Sequence, residues 1–325
     1  MGHPIFRSCH TGKVSFLACT VDRVRSLALV TDSSAAIPAA LVASLKAEGG
    51  FAVAHLPVTV GGRHLDTLSA DQLDEAIAMA HVQGQQVTTS GASPGQFVDL
   101  YEQLAEQGYS GVVSMHLSGQ LSGTCDAARV AANMVDIPVA VVDSLNLAMG
   151  LGEPVVRLHR LLAHENNLEK AIALAEELCA TTDLYFFIPT LDALKRGGRV
   201  SPALAMVGQM FQIRPVATVL DGRLHYIERP RTAAKAIERL VAITQKACAS
   251  RYGELPLDAP LEHRDAPALL QRAGQVVAIH YSGNYEQAQK LKQDLGPIAH
   301  DAQLTPLPAV LSAHAGLGAL ATVIF

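Results

Sequence analysis

Residues 111–124 read GVVSMHLSGQLSGT, and this stretch decides the fold. Gly111–His116 is a short apolar run of strand length, and a helix is expected over Leu121–Val135. Ser118, Ser122 and Thr124 put small hydroxyls just beyond that strand and at the start of that helix. The same strand-then-helix unit recurs to either side. Upstream, Ser26–Thr31 (SLALVT) is an apolar strand ending in Asp32-Ser33-Ser34, with a helix expected from Pro38. Phe51–Val60 alternates as one strand before a Gly61-Gly62 turn, and Ser69 is the expected cap of a helix running through His81. Val87–Ser90 is a brief strand. Ser93-Pro94-Gly95-Gln96 then has capping-box spacing for a helix to about Gln107. Downstream, Pro138–Val142 is a strand that ends in Asp143-Ser144. Strands separated by helices of this length predict parallel pairing with right-handed crossovers.

Near residue 180 the pattern changes. A helix over about Asn167–Ala180 precedes a strand at Leu184–Ile188, the segment Leu191–Gly198 and a helix from Pro202. Arg214–Leu220 and Arg223–Glu228 flank Asp221-Gly222, a hairpin signal. A long helix from Thr232 to about Ser250, Val276–Tyr281, the helix Glu286–Leu295, Pro308–Ala313 and Leu320–Phe325 complete the chain, with Leu255–Pro267 read as a loop. The expected fold class is therefore α/β with two lobes: a parallel-sheet lobe over 25–180 and a mixed-sheet lobe over 181–325. Residues 1–24 read as an N-terminal extension. Their apolar run Val14–Val21 is short for a signal peptide and is followed at once by Asp22, Arg23 and Arg25.

Bulk properties exclude several functions. Hydrophobic content of 49% against 17% charged describes a globular chain. With Lys+Arg 25 against Asp+Glu 30, it has no positive excess to neutralise phosphates, so nucleic acid is not an expected partner. No apolar run approaches the ~20 residues that span a bilayer, so no stable membrane insertion is expected. Cys9, Cys19, Cys125, Cys179 and Cys248 are scattered, odd in number and without a CxxC pair. They fit neither a disulfide framework nor a zinc site, and point to a reducing, cytoplasmic location.

Three catalytic motifs fail on inspection. Gly91-Ala92-Ser93-Pro94-Gly95 matches the hydrolase elbow G-x-S-x-G, but the oxyanion donor after the serine would be Pro94, which has no N–H. Gly316–Ala321 resembles a dinucleotide fingerprint but has no βαβ unit after it. No G-x-x-x-x-G-K-[ST] loop is present. His159 and His164 lack metal-ligand spacing.

What remains is a pair of hydroxyl-rich junctions, Thr88-Thr89-Ser90 and Ser118–Thr124. At the carboxyl edge of a parallel sheet they would face one another, and helix N-termini there offer free N–H groups to an anion. Gly123 lets backbone approach such an anion closely. Ordinary caps and turns account for the same residues equally well. A carboxylate held by neutral donors would need no basic cluster, and an attached acyl chain would need apolar walls. Ala203–Val207 and Met210-Phe211 could supply these or be plain core.

From Leu27 to Phe325 the chain resembles the DegV family. The carrying motifs are TDSSAAIP (31–38), TTSGASPGQF (88–97), LSGQLSGT (117–124), VVDS (141–144), LDALKRGGRVS (191–201), IRPVATVLDGRL (213–224) and AHAGLGAL (313–320). The resemblance implies a parallel three-layer α/β/α lobe and a mixed-sheet α/β lobe forming an acyl-chain pocket. It implies a long-chain fatty acid such as palmitate or oleate as ligand, with no cofactor, no metal and no catalysis by the chain itself. A separate fatty acid kinase subunit would phosphorylate the bound carboxylate. Thr89 and Ser122 match the family's carboxylate-contacting hydroxyls, and His314 matches a histidine of its C-terminal H-x-G-x-G motif. Ser90, Ser118, Gln120 and Gly123 complete the candidate pocket. Arg196 and Arg199 are either a contact surface for the kinase or a solvated turn. The chain departs from the family at Gly119 (often Ser), at Cys125 (often Tyr) and at His314-Ala315-Gly316-Leu317-Gly318 (usually HTGPG). Two other functions stay open: a dihydroxyacetone-kinase-like subunit using His314 on a small carbonyl substrate, and a lipid sensor without a kinase partner.

Overall fold

A computed structural model describes residues 27–65, 68, 70–198, 213–252 and 276–325. Strand β1 (Ala28–Asp32) is buried along its whole length, as a central parallel strand covered on both faces must be. It lies between β2 (Phe51–Ala54) and β6 (Val112–His116), and β7 (Val139–Asp143) pairs with β6 on the far side. All three pairings are parallel, with Leu29 opposite both Phe51 and Val113, and His116 opposite Asp143. Helices α3 (Pro94–Glu106) and α4 (Thr124–Ala132) pack together against this sheet, as do α5 (Met149–Leu162) and α6 (Leu168–Ala180). The result is the three-layer α/β/α lobe. Helix α1 (Ala39–Glu48) precedes β2.

The stretch expected as one strand over Phe51–Val60 is two. It breaks at His55-Leu56-Pro57, where Pro57 has no N–H for a ladder and the Leu56 N–H is taken by Ser33 Oγ at 3.0 Å. Beyond the break, β3 (Val58–Val60) joins a separate antiparallel sheet with β4 (Arg63–His64) and β5 (Val87–Thr89). Thus β5 does not belong to the parallel sheet at all, and the junction after it is not one of that sheet's carboxyl-edge junctions. Helix α2 (Ala70–Val82) links β4 to β5. The expected cap Ser69 lies outside the described residues.

Two other elements differ from the sequence reading. Helix α4 begins at Thr124, not Leu121: a separate turn closes on the Ser118 carbonyl, which accepts from Leu121 and Ser122 at 3.0 and 3.1 Å, and the Thr124 N–H then goes to Ser122 Oγ at 3.3 Å. Helix α5 has no sequence counterpart: Gly150, Gly152 and Pro154 in its first turns read as breakers. These residues serve packing. A Cβ on Gly152 would sit 2.2 Å from the Ala35 carbonyl oxygen, so only glycine lets α5 pass this close to the turn after β1.

The second sheet has strand order β10-β9-β8-β13-β11-β12. Its members are β8 (Asp183–Phe187), β9 (Val216–Leu220), β10 (Arg223–Glu228), β11 (Val277–Tyr281), β12 (Leu304–Pro306) and β13 (Leu320–Ile324). Every pairing is antiparallel except β11 with β12, so the lobe is mixed. Asp221 and Gly222 close the β9–β10 hairpin with φ of 49° and 75°, the left-handed pair that a two-residue turn demands. Between β8 and β9 lies the short α7 (Asp192–Arg196). Helices α8 (Ala233–Tyr252) and α9 (Tyr285–Leu295) cover the sheet, while α5 touches β13. Helix α10 (Ala309–Ala315) buries Ala309 and Val310 in the core of the parallel lobe and packs on α2 and β5. The helix expected from Pro202, the apolar stretches Ala203–Val207 and Met210-Phe211, the loop Leu255–Pro267, and Cys9, Cys19 and Arg199 lie outside the described residues. Among the described residues no helix is long and apolar enough to cross a membrane.

Candidate functional site

A cleft opens between the two lobes and is lined from both. It encloses about 1000 Å³ of atom-free space, counting the part open to solvent at its mouth. Its walls are mostly apolar: Leu117 and Leu147 from the parallel lobe, Phe186, Ile188 and Leu224 from the mixed sheet, and Val310 from α10. Its polar side chains are Thr89, Ser90, Ser122 and His314, with Gly123 beside them. Among the described lining residues none is Lys, Arg, Asp or Glu.

Each polar group is set by its element. Thr89 ends β5, opposite Val58 in the small sheet. Ser122 lies one residue before Gly123, which occupies the cap position of α4 and leaves no side-chain cap there. Ser122 Oγ is 2.8 Å from Thr124 Oγ1 and accepts the Thr124 N–H at 3.3 Å. His314 stands in the last turn of α10, its Nε2 2.7 Å from Thr89 Oγ1. Gly91 brings the loop after β5 onto α4: a Cβ there would meet Thr124 Oγ1 at 3.2 Å. The two hydroxyl segments therefore do meet, although they come from different sheets. The N-terminus of α4 adds partial positive charge at the same end.

Two candidates named from the sequence stand elsewhere. Ser118 is buried and donates through Oγ to the Gly222 carbonyl at 2.7 Å. Gln120 accepts from Arg223 at 2.7 Å. Neither lines the cleft; both hold the β9–β10 hairpin. Ser93 accepts the Gln96 N–H at 3.2 Å and caps α3, and Pro94 after it has no N–H to offer an oxyanion. Arg196 ends α7. His159 is a structural group, 3.0 Å from the Gly49 carbonyl and edge-on to Phe51.

A buried polar chain escaped sequence reasoning. Asp32 Oδ2 lies 3.0 Å from His116 Nδ1, His116 Nε2 lies 2.7 Å from Ser114 Oγ, and Ser114 lies 2.8 Å from Tyr101 OH. The order resembles an acid-histidine-serine relay, yet Asp32, His116 and Ser114 are all 0% exposed and no substrate can reach them. Asp32 Oδ2 also accepts the Leu117 N–H at 3.1 Å, so the chain braces the start of the LSGQLSGT segment. Burial pushes the Tyr101 hydroxyl up to about 12, which keeps it a neutral partner. The available signal was polar Ser114 and His116 at two-residue spacing in an apolar strand, beside Asp32 at the end of its neighbour.

The chain belongs to the DegV family: the family model for uncharacterised proteins of that family matches residues 26–325. A DegV domain-containing protein of Streptomyces coelicolor is 35% identical over 300 residues, covering 92% of this chain and 98% of its own. One from Listeria monocytogenes is 32% identical over 232 residues, covering 70% and 80%. Among solved structures, the chain is similar to a fatty-acid-binding DegV family protein from Thermus thermophilus, with TM-score 0.73, 27% identity, and 92% and 99% of the two chains covered. It is also similar to DegV, a fatty acid binding protein from Bacillus subtilis, with TM-score 0.74, 25% identity, and 93% and 99% covered.

Proposed function

We propose that this chain is a carrier that holds one long-chain fatty acid in the cleft between the lobes, its carboxylate at Thr89, Ser122 and His314. The observation that carries this reading is the polarity of the cleft: apolar walls with hydroxyl and imidazole groups at one end and no fixed charge among the described lining residues. The magnitudes divide the work. Burying a methylene contributes about 0.8 kcal/mol, so some 14 of them contribute on the order of 11 kcal/mol before ordering costs. One hydrogen bond to a charged group contributes ~1.5–3 kcal/mol. The tail thus supplies affinity, and the hydroxyls supply orientation and the choice of acid over neutral lipid. Fatty acid binding by the Thermus and Bacillus relatives supports the same ligand class.

In this reading the chain performs no chemistry. It presents the carboxylate to a separate kinase in the cytoplasm, with Arg196 and Arg199 as candidate contacts. The failed elbow at Ser93-Pro94 and the absence of a phosphate loop in the sequence support that division. Native mass spectrometry of the purified protein tests it. The expected result is one fatty acid per chain, exchangeable for added palmitate or oleate. Protein that is empty and takes up neither overturns the reading. Acyl phosphate formed from ATP by this chain alone would make it an enzyme.

A further inference from the structure

Ser118 and Gln120 stand beside the cleft, and what they hold ties the head-group turn to the other sheet. The Ser118 carbonyl accepts from Leu121 and Ser122, and its N–H donates to the Asn146 carbonyl at 2.9 Å. Its Oγ accepts the Gln120 N–H at 3.1 Å and donates to the Gly222 carbonyl at 2.7 Å. One residue past Gly222, Arg223 donates to Gln120 Oε1 at 2.7 Å. The contact is tight. Gly222 is left-handed, and a Cβ on it would lie 2.4 Å from Ser118 Oγ and 3.2 Å from Gln120 Cγ. The hairpin tip is moulded onto the turn that carries Ser122.

That turn has no regular structure of its own. Residues 118–123 lie between β6 and α4; Ser122 is tied to Ser118 through its N–H at 3.1 Å and to Thr124 through its Oγ at 2.8 Å, while Gly119 donates to Asp143 Oδ2 at 3.0 Å. A shift of Ser118 therefore moves the backbone that carries Ser122, against the hold of Thr124 on its hydroxyl. The same hairpin carries Leu224, which lines the cleft. One rigid two-stranded element therefore touches the space for the ligand's tail and, from outside, the support of its head-group hydroxyl.

We propose that the tip of the β9–β10 hairpin is a latch, and that Gly222 and Arg223 are positioning residues for Ser122. The latch makes preference for a carboxylate depend on closure of the second sheet against the parallel lobe. The proposal rests on the fatty-acid reading for its ligand, but the latch itself can be tested without one.

Two measurements on Gly222→Ala, and on the milder exposed-pair variant Arg223→Ala, decide it. The first is amide hydrogen exchange over residues 118–124 in the ligand-free protein. Faster exchange confined to that turn and the hairpin tip is expected; unchanged exchange overturns the latch. The second is the ratio of affinities for palmitate and for its methyl ester. The ratio is expected to fall about 10-fold in Gly222→Ala, the loss of one hydrogen bond to charge, and by less in Arg223→Ala. Equal weakening of both ligands marks general loss of packing and overturns the positioning role. If the unaltered protein binds neither ligand, the fatty-acid reading fails, while the exchange result still decides whether the hairpin holds the turn. Lys290→Ala, on α9 against β11 and β12 at the opposite edge of the sheet, is the control and should change neither.

Discussion

Thr89 Oγ1 lies 2.7 Å from His314 Nε2, although 225 residues separate the two in the chain. The contact decides which way the threonine hydroxyl can work. When Nε2 carries a proton, the imidazole donates to Thr89 and the hydroxyl hydrogen is left to point at an anion in the cleft. When Nε2 is bare, Thr89 donates to the ring and has nothing to offer a carboxylate. His314 therefore sets the donor state of Thr89, and α10 delivers it there by packing on β5.

Thr89→Val and Ser122→Ala should each weaken fatty-acid binding by roughly 10- to 100-fold, because each removes a donor that the proposed function assigns to the carboxylate. Affinity for the methyl ester should change much less. His314→Gln should weaken the acid by less than Thr89→Val, since an amide can still donate to the threonine. Calorimetric titration of acid and ester against each variant checks the order. Equal losses for the two ligands would place the carboxylate elsewhere.

Ser93→Ala separates capping from binding. Its Oγ accepts the Gln96 N–H at the start of α3, and losing such a cap costs ~1 kcal/mol. Denaturant midpoints should drop accordingly while fatty-acid affinity stays unchanged. If this variant abolishes binding with its fold intact, the hydroxyl that matters has been misassigned.

Acid should destabilise the protein partly through His280. It is fully buried, and desolvation lowers its pKa from 6.5 to about 4 against a raising bond to Thr305. The geometry fixes the neutral tautomer. Nδ1 faces the Thr305 carbonyl at 3.2 Å and so carries the hydrogen, while Nε2 accepts the Met149 N–H at 3.3 Å. The unfolded chain takes up a proton near pH 6.5 and the folded one only near 4. Between those values the unfolded state binds more protons, so stability falls as pH drops through the window. Below about 4 this site adds no further slope. His280→Gln should be less stable at neutral pH yet show a shallower acid limb in urea titrations from pH 7 to 4.

The described cysteines should be inert in the folded protein. Burial, helped by nearby carboxylates, pushes the Cys125 and Cys179 thiols up to about 12, and burial raises Cys248 to about 11. Thiolate is the reacting form, so little is present at pH 8. Iodoacetamide mapping should find these three unmodified until denaturant is added. Prompt native labelling of Cys125 would mean that the start of α4 opens.

Local signals in the chain were read well and long-range ones poorly. The apolar runs of β1, β6 and β7, the Ser93 cap and the Asp221-Gly222 turn depend on neighbours within a few residues, and all are present. The break at Pro57 assigns the two halves of one apolar stretch to different sheets, and alternation alone cannot show which strand each half will meet. Helix α5 was hidden because Gly152 serves the carbonyl of Ala35, a partner invisible from residue 152. The same limit applied at the cleft. Thr89 and Ser122 were legible as small hydroxyls at junctions. That Ser118 and Gln120 answer to Gly222 and Arg223 instead needed the hairpin, more than a hundred residues on, brought into contact.

In the mixed sheet, β13 lies between β8 and β11, yet it comes last of that sheet's strands in the sequence. A ribosome making this chain therefore produces two half-sheets, β10-β9-β8 and β11-β12, whose facing edges have no partner until Leu320–Ile324 emerges. Such bare edges pair readily with other chains, so this interval is when nascent protein most needs shielding. Residues Ala319–Ala321 also line the cleft, and His314 reaches Thr89 just ahead of them in the sequence. Completion of the cleft wall and completion of the sheet thus arrive together, and an aborted chain lacks both.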